Sequence, residues 1–242
     1  MLQIVRSLLF DLVFYVGTGV FVASLTPLVF FSEKFTFKLV QIWSHGFFWS
    51  CKYILGLDYR LEGLENLPDG PCIVASKHQS VWETFIFNHI FDHPSMVYKK
   101  ELSYIPFFGQ FLKYVGSTLV DRKAGIKAIK MLNEQAAKVL AQGRKLVIFP
   151  EGTRGTIGQP GQYQPGLAGI YTGLDAPVVL CTVNSGLFWG RRSLFKKPGT
   201  IVLRFLPPIQ PGLKRKEFTQ LFESQLEEAS MQLYRETCDA SH

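Results

Sequence analysis

Cysteine is scarce, with 4 in 242 residues, and Cys51, Cys72, Cys181 and Cys238 are scattered with no pair at metal-ligand spacing. Such spacing speaks against a zinc module or a disulfide framework, so a reducing, cytoplasmic setting is expected for the globular part. Cys72 and Cys181 fall in apolar runs, where a free thiol behaves as a small hydrophobe. Nucleotide signatures are missing as well: there is no G-x-x-x-x-G-K-[ST] and no G-x-G-x-x-G behind a strand. No G-x-S-x-G elbow marks a serine hydrolase. Acidic excess is also absent, since 26 Lys and Arg stand against 19 Asp and Glu for a net charge of +7. Neither a zinc finger nor a basic helical repeat accompanies that charge, so nucleic acid is not the expected partner.

Phenylalanine is what the chain has in abundance, 21 residues with many crowded into the first fifty positions. A basic, Phe-rich chain suits an anionic membrane surface, where Lys and Arg meet lipid phosphates and rings bury in the interface. At 47% hydrophobic with mean hydropathy +0.13, the overall composition falls in the ordinary range of globular domains and by itself decides nothing, and 242 residues hold one large domain or two small ones.

The membrane signal is concentrated at the start. Leu12 to Ser32 carries no charge, with Asp11 interrupting an apolar flank from Leu8. About 20 apolar residues cross a bilayer as a helix, but Asp11, Gly17, Gly19 and Pro27 weaken a simple straight span. No small-residue cleavage site follows a short apolar core, so a removable signal peptide is not expected. A second stretch, Leu39 to Leu57, carries Trp43, Phe47, Phe48, Trp49 and Tyr53, with Lys38 and Lys52 at its edges, the pattern of an interfacial or re-entrant helix. A helical hairpin dipping into one leaflet is expected over residues 1–57, with a full span by the first helix as the alternative. An α/β domain is expected over 58–242.

Within that domain, short apolar runs at Tyr59–Leu61, Cys72–Ala75, Met96–Lys99, Thr118–Val120, Lys145–Phe149, Val178–Val183 and Thr200–Phe205 predict strands. Between and after them, helices are predicted at Val81–Ile90, Phe107–Val115, Gly125–Gln142 and Lys216–Thr237. Alternation of this kind predicts a layered α/β fold with a largely parallel mixed sheet flanked by helices. In such sheets the sites lie beyond the carboxyl ends of strands, and two polar motifs stand there.

Lys77 to Phe85 reads K-H-Q-S-V-W-E-T-F. His78 and Glu83 are five apart, about 140° around a helix, so the histidine must precede the helix for the two to meet. Ser80-Val81-Trp82-Glu83 fits the S-x-x-E capping box, with Ser80 as N-cap and Glu83 reaching back. Glu83 then holds one ring nitrogen of His78 and leaves the other to accept a proton. The plain alternative is a capping Glu and a satisfied turn His. His45, His89, His93 and the terminal His242 are weaker candidates for chemistry.

The second motif, Phe149-Pro150-Glu151-Gly152-Thr153-Arg154-Gly155, puts two glycines in a turn that exposes backbone amides beside an arginine fork fitted to phosphate oxygens. Glu151 is expected to orient a nearby cation, and the plain alternative is a tight turn with a surface arginine. Between the motifs lie Lys99-Lys100-Glu101-Leu102, Ile105 to Gly109 and Asp121-Arg122, cations beside aromatics that suit a substrate joining a phosphate to an apolar tail.

In this order and spacing, the segments resemble the 1-acylglycerol-3-phosphate acyltransferase family of glycerolipid acyltransferases over roughly Gly63 to Pro208. His78 and Glu83 fall on the family's His-x4-acid motif, Lys100 through Gly109 and on to Asp121-Arg122 on its second block. Phe149 to Gly155 matches the third block and Ala176-Pro177-Val178-Val179 the fourth. The family usually has Asp at the Glu83 position and often Asn at the Lys77 position.

The resemblance implies that His78 takes the proton from the sn-2 hydroxyl of lysophosphatidic acid while Glu83 orients the imidazole. The oxygen then attacks an acyl thioester, and CoA or acyl carrier protein leaves. Lys100, Arg122, Glu151, Gly152, Thr153 and Arg154 make up the implied phosphate site, with Arg154, Arg122 and Lys100 holding the phosphate. No metal or cofactor is implied beyond the thioester co-substrate. The expected location is a bacterial inner membrane, with the catalytic domain on the cytoplasmic side. Related families acylate other lysolipids through similar motifs, and a lipid hydrolase or thioesterase would use the same pair on water. A non-catalytic lipid-binding module is the third reading.

Overall fold

A computed structural model describes residues 1–25, 32–105 and 108–239. Two helices lead, α1 (Leu2–Leu25) and α2 (Glu33–Ser50), the second running into a wide turn at Cys51–Leu55 that Gly56 closes with left-handed backbone. Phe10 and Phe14 meet Phe47, whereas Phe21 stacks on Trp43. Increasing positions on one helix therefore meet decreasing ones on the other, and the pair is an antiparallel hairpin. Close approach is built in at Gly17, where a Cβ would stand 2.9 Å from the Trp43 ring. Pro27, one of the residues that weaken a straight span in the sequence, lies outside the described residues.

The hairpin is not an appendage. Phe10, Phe47, Phe48, Cys51 and Leu55 belong to the same buried cluster as Val74, Trp82, Phe87 and Phe149 of the α/β part. Its outward face is apolar all the same: Leu2, Val5, Leu9, Leu12, Val16 and Val20 are exposed. The segment Leu2–Ser24 is long and apolar enough to cross a membrane.

Seven strands among the described residues form one sheet: β1 (Leu57–Glu62), β2 (Ile73–Ser76), β3 (Ser95–Lys99), β4 (Thr118–Val120), β5 (Leu146–Ile148), β6 (Val178–Val183) and β7 (Gly199–Phe205). Their order is β1-β7-β6-β2-β5-β3-β4, parallel throughout except between β6 and β7. β2 and β6 are buried at every position, as expected of central parallel strands covered on both faces, which is why they read as unbroken apolar runs. Helices α3 (Glu83–Ile90), α4 (Phe108–Tyr114), α5 (Ile126–Ala141), α6 (Gly166–Gly173) and α7 (Arg215–Asp239) complete the layers.

The mixed α/β architecture is the one read from the sequence, with strand bounds shifted by a residue or two. α6 is an addition: its eight residues include three glycines, which hide a helical pattern. α3 starts at Glu83 rather than Val81. Residues 80–82 make a tight turn, with Thr84 N–H bonded to Val81 O and Phe85 N–H to Trp82 O, the i→i+3 pattern that precedes a regular helix. Trp82, not Ser80, occupies the N-cap position.

Candidate active site

Four neighbouring parallel strands, β6, β2, β5 and β3, deliver their carboxyl ends to one edge of the sheet. β2 leads to His78, β5 to the turn at 149–155, β3 to Lys99, and β6 to Ser185, while β4 beside β3 leads to Arg122. A cavity of about 270 Å³ opens there, and His78, Arg122, Gly152, Thr153 and Arg154 all line it, with Phe149, Tyr98 and Lys99. The two motifs, seventy residues apart in sequence, thus share one wall.

His78 sits in the turn outside α3, as the five-residue spacing required. Its peptide is clamped on both sides by the second motif: His78 N–H donates to Glu151 Oε2 at 2.9 Å, and His78 C=O accepts from Gly155 N–H at 2.7 Å. The ring stacks on Phe149, centroids 4.2 Å apart, and its side chain is 15% exposed. Nδ1 has no hydrogen-bond partner and stands 3.8 Å from Glu83 Oε2. That gap exceeds a hydrogen bond and is short enough for a small ring shift to close, since catalytic hydrogen bonds often tighten only in the complex with substrate.

Glu83 is fully buried and heavily solvated by the protein itself. It accepts the N–H of Gln79 at 3.0 Å, the N–H of Ser80 at 3.0–3.1 Å on both oxygens, and the hydroxyl of Ser185. One half of the capping box is therefore present, with Glu83 reaching back to Ser80 N–H. The other half is not, because Ser80 Oγ accepts from Trp82 N–H. Ser185 was not read from the sequence. Its only signal is position, one residue beyond Asn184 after the apolar β6 run.

Gly152 has φ +66°, and a Cβ there would come within 2.6 Å of the Arg122 guanidinium, which donates to Gly152 O. Glycine is needed at this position both for the backbone and for the close approach. Two residues from the implied phosphate set lie elsewhere. Glu151 is buried and turned away from the cavity, pairing with Lys77 Nζ at 2.7 Å. Lys100 pairs with Asp121 at 3.4 Å near the surface, and Lys99 is the lysine in the cavity wall. Of the fourth block, Ala176, Val178 and Val179 are buried in and before β6 and Pro177 is half-buried, and none of the four lines this cavity.

The other histidines belong to helix packing. His45 bonds Gln41 O at 2.7 Å, His89 bonds Tyr59 OH at 2.9 Å, and His93 stands 3.1 Å from Glu33. His242 lies outside the described residues. Two apolar cavities adjoin the polar one. One, about 350 Å³, lies between the hairpin and α3–α4 and shares Thr84 and Tyr98 with it. The other, about 330 Å³, lies against α5 and shares Val97, Arg122, Phe149 and Gly152.

An acyltransferase family model matches residues 58–184, which holds both motifs. This chain belongs to the acyltransferase family. Among its relatives, the 1-acyl-sn-glycerol-3-phosphate acyltransferase of Pseudomonas aeruginosa is 37% identical over 205 residues, covering 82% of this chain and 78% of that one. The enzyme of the same name from Saccharomyces cerevisiae is 33% identical over 168 residues, 67% of this chain and 55% of its own length. The crystal structure of the 1-acyl-sn-glycerophosphate acyltransferase PlsC from Thermotoga maritima shares the fold, with a TM-score of 0.75 at 21% identity over 95% of this chain and 97% of that one. The acyltransferase is thus an α/β enzyme of the 1-acyl-sn-glycerol-3-phosphate type, with the hairpin included in the shared architecture.

Proposed function

We propose that this acyltransferase moves a fatty acyl group from an acyl thioester to the sn-2 hydroxyl of lysophosphatidic acid, forming phosphatidic acid. The observation that carries the reading is the shared cavity: a histidine, two arginines and a glycine-opened turn meet on one polar wall between two apolar cavities. A phosphate fits the Arg122, Thr153 and Arg154 side, where planar forks match its oxygens. The apolar cavities suit the two chains that must meet, one on the donor and one on the acceptor.

In this reading Glu83 closes its gap to Nδ1–H, which fixes the tautomer and leaves Nε2 free. Nε2 takes the hydroxyl proton as the oxygen attacks the thioester carbonyl. The tetrahedral intermediate collapses with loss of the thiolate, which receives that proton from the imidazolium. No acyl-enzyme forms, and the thioester, of CoA or of acyl carrier protein, is the co-substrate with no cofactor assigned. The exposed apolar face of α1 sits in one leaflet, so that the lysolipid enters from the membrane. A bacterial inner membrane with the site on the cytoplasmic side fits a thioester donor.

The test is acyl transfer by purified, detergent-solubilised protein, with lysophosphatidic acid and other lysolipids offered to each thioester donor. Phosphatidic acid as the preferred product is the expected result. Preference for another lysolipid would reassign the acceptor, and fatty-acid release without any acceptor would make the protein a hydrolase.

A further inference from the structure

Behind the site lies a second charged group that the reaction itself does not use. Lys77 immediately precedes His78, and its side chain is 4% exposed. Its ammonium stands 2.7 Å from Glu151 Oε1, 3.0 Å from Glu227 Oε1 and 3.2 Å from Tyr163 OH. Glu227 belongs to α7, 150 residues away, and is held in turn by Gly161 N–H at 2.8 Å and by the Tyr163 hydroxyl. Burial opposes ionisation of Glu227, but bonds from Tyr163, Gly161 and Lys77 outweigh it and keep the carboxyl below its usual value. The loop above is shaped around this group: a Cβ on Gly161 would come within 2.5 Å of Glu151 and 2.9 Å of Lys77.

The arrangement runs as a chain of contacts. Glu227 holds Lys77, Lys77 holds Glu151 Oε1, and Glu151 Oε2 holds the peptide N–H of His78. We infer that Lys77 is a positioning residue: through Glu151 it sets the His78 peptide against the 149–155 turn, and through Glu227 it ties that setting to α7. With a neutral residue at 77, the buried Glu151 and the partly exposed Glu227 are left with no cation between them. Repulsion between them would swing Glu151 off the His78 amide. This inference rests on His78 as the base.

The experiment is a double-mutant cycle on the full-length enzyme, with Lys77→Met, Glu227→Gln and both together, and His78→Ala as the control. Rates are taken well below the melting temperature, with folding checked by circular dichroism. A displaced base slows turnover without loosening the acceptor, and misplacements of about 1 Å cost up to about 100-fold. Lys77→Met is expected to lower kcat about 10- to 100-fold with the acceptor KM within about twofold. Glu227→Gln is expected to lower kcat about 3- to 10-fold, again without a KM change. The double variant is expected to be no slower than Lys77→Met, since removing the second carboxylate charge relieves the repulsion.

A kcat at the wild-type level in folded Lys77→Met or in Glu227→Gln overturns the inference, as does a double variant whose losses simply multiply. If Lys77→Met does not fold, Glu227→Gln decides alone, because Glu227 is about a quarter exposed and its loss spares the core. An inactive His78→Ala beside fully active Lys77 and Glu227 variants removes this inference and leaves the mechanism standing. An active His78→Ala removes both.

Discussion

Replacing Glu83 by Gln separates a carboxylate that orients a base from one that merely caps a helix. The substitution keeps the shape and one oxygen. With that oxygen at the Oε1 position, the bonds from Gln79 N–H, Ser80 N–H and Ser185 persist. The amide NH₂ then occupies the Oε2 position, 3.8 Å from His78 Nδ1 and 3.0 Å from Ser80 N–H. Once the gap closes, the NH₂ donates to Nδ1 where the carboxylate would accept from it, so the ring is held with its proton on Nε2. That tautomer cannot take the substrate proton, and the comparable error in a Ser-His-Asp triad costs about 10⁴ in rate. Since general-base work is worth about 10²–10⁴-fold, Glu83→Gln should lower kcat by at least about 10²-fold. Lost charge-assisted bonds and a donor facing Ser80 N–H should lower stability by about 1–3 kcal/mol, leaving the protein folded at assay temperature. Initial acyl-transfer rates beside a thermal melt make the comparison. A folded variant within about threefold of wild type would refute the orienting role and leave Glu83 a cap.

Three further outcomes follow from the same geometry. Arg154→Ala, which removes one fork from the cavity wall, should raise the acceptor KM about 10-fold or more with kcat little changed, as expected for one charged hydrogen bond to phosphate; steady-state kinetics on varied lysolipid reads it. Ser185→Ala takes one donor from the buried Glu83 carboxylate and should cost about 1–3 kcal/mol of stability with a smaller loss of kcat than Glu83→Gln, measured by melt and rate together. The third concerns acid. Because the Glu227 carboxyl is held below its usual value of 4.5, its stabilisation is full above that pH and is lost as the pH falls through the lowered value. The gap in melting temperature between wild type and Glu227→Gln should accordingly be present at pH 7 and shrink below about pH 4.5; a constant gap would contradict it.

The site was legible where chemistry and spacing coincide. His78 had to precede a helix to meet Glu83, and the structure places it in that turn. The 149–155 motif had to follow a strand to expose its amides, and β5 delivers it. What sequence could not resolve depends on direction and distance. Whether Lys99 or Lys100 faces the cavity turns on where β3 ends, because one residue of slip reverses a side chain. Glu151 does pair with a cation, as its expected role required, but a glycine-rich turn does not reveal that the partner is the buried Lys77 and not a residue of the cavity wall. Ser185 and Glu227 reach the site from 102 and 144 positions beyond Glu83, and no local pattern links them. The antiparallel turn of β7 was equally silent, since a buried apolar run looks the same in either direction.

The most direct measurement is phosphatidic acid formation from lysophosphatidic acid by wild type and His78→Ala side by side, with acyl-CoA and acyl-carrier-protein donors in parallel. Product from wild type with at least one donor, and a loss of at least about 10²-fold in the folded variant, is the predicted result. Equal rates from the two proteins would contradict it, because the proton would then be leaving the hydroxyl by another route.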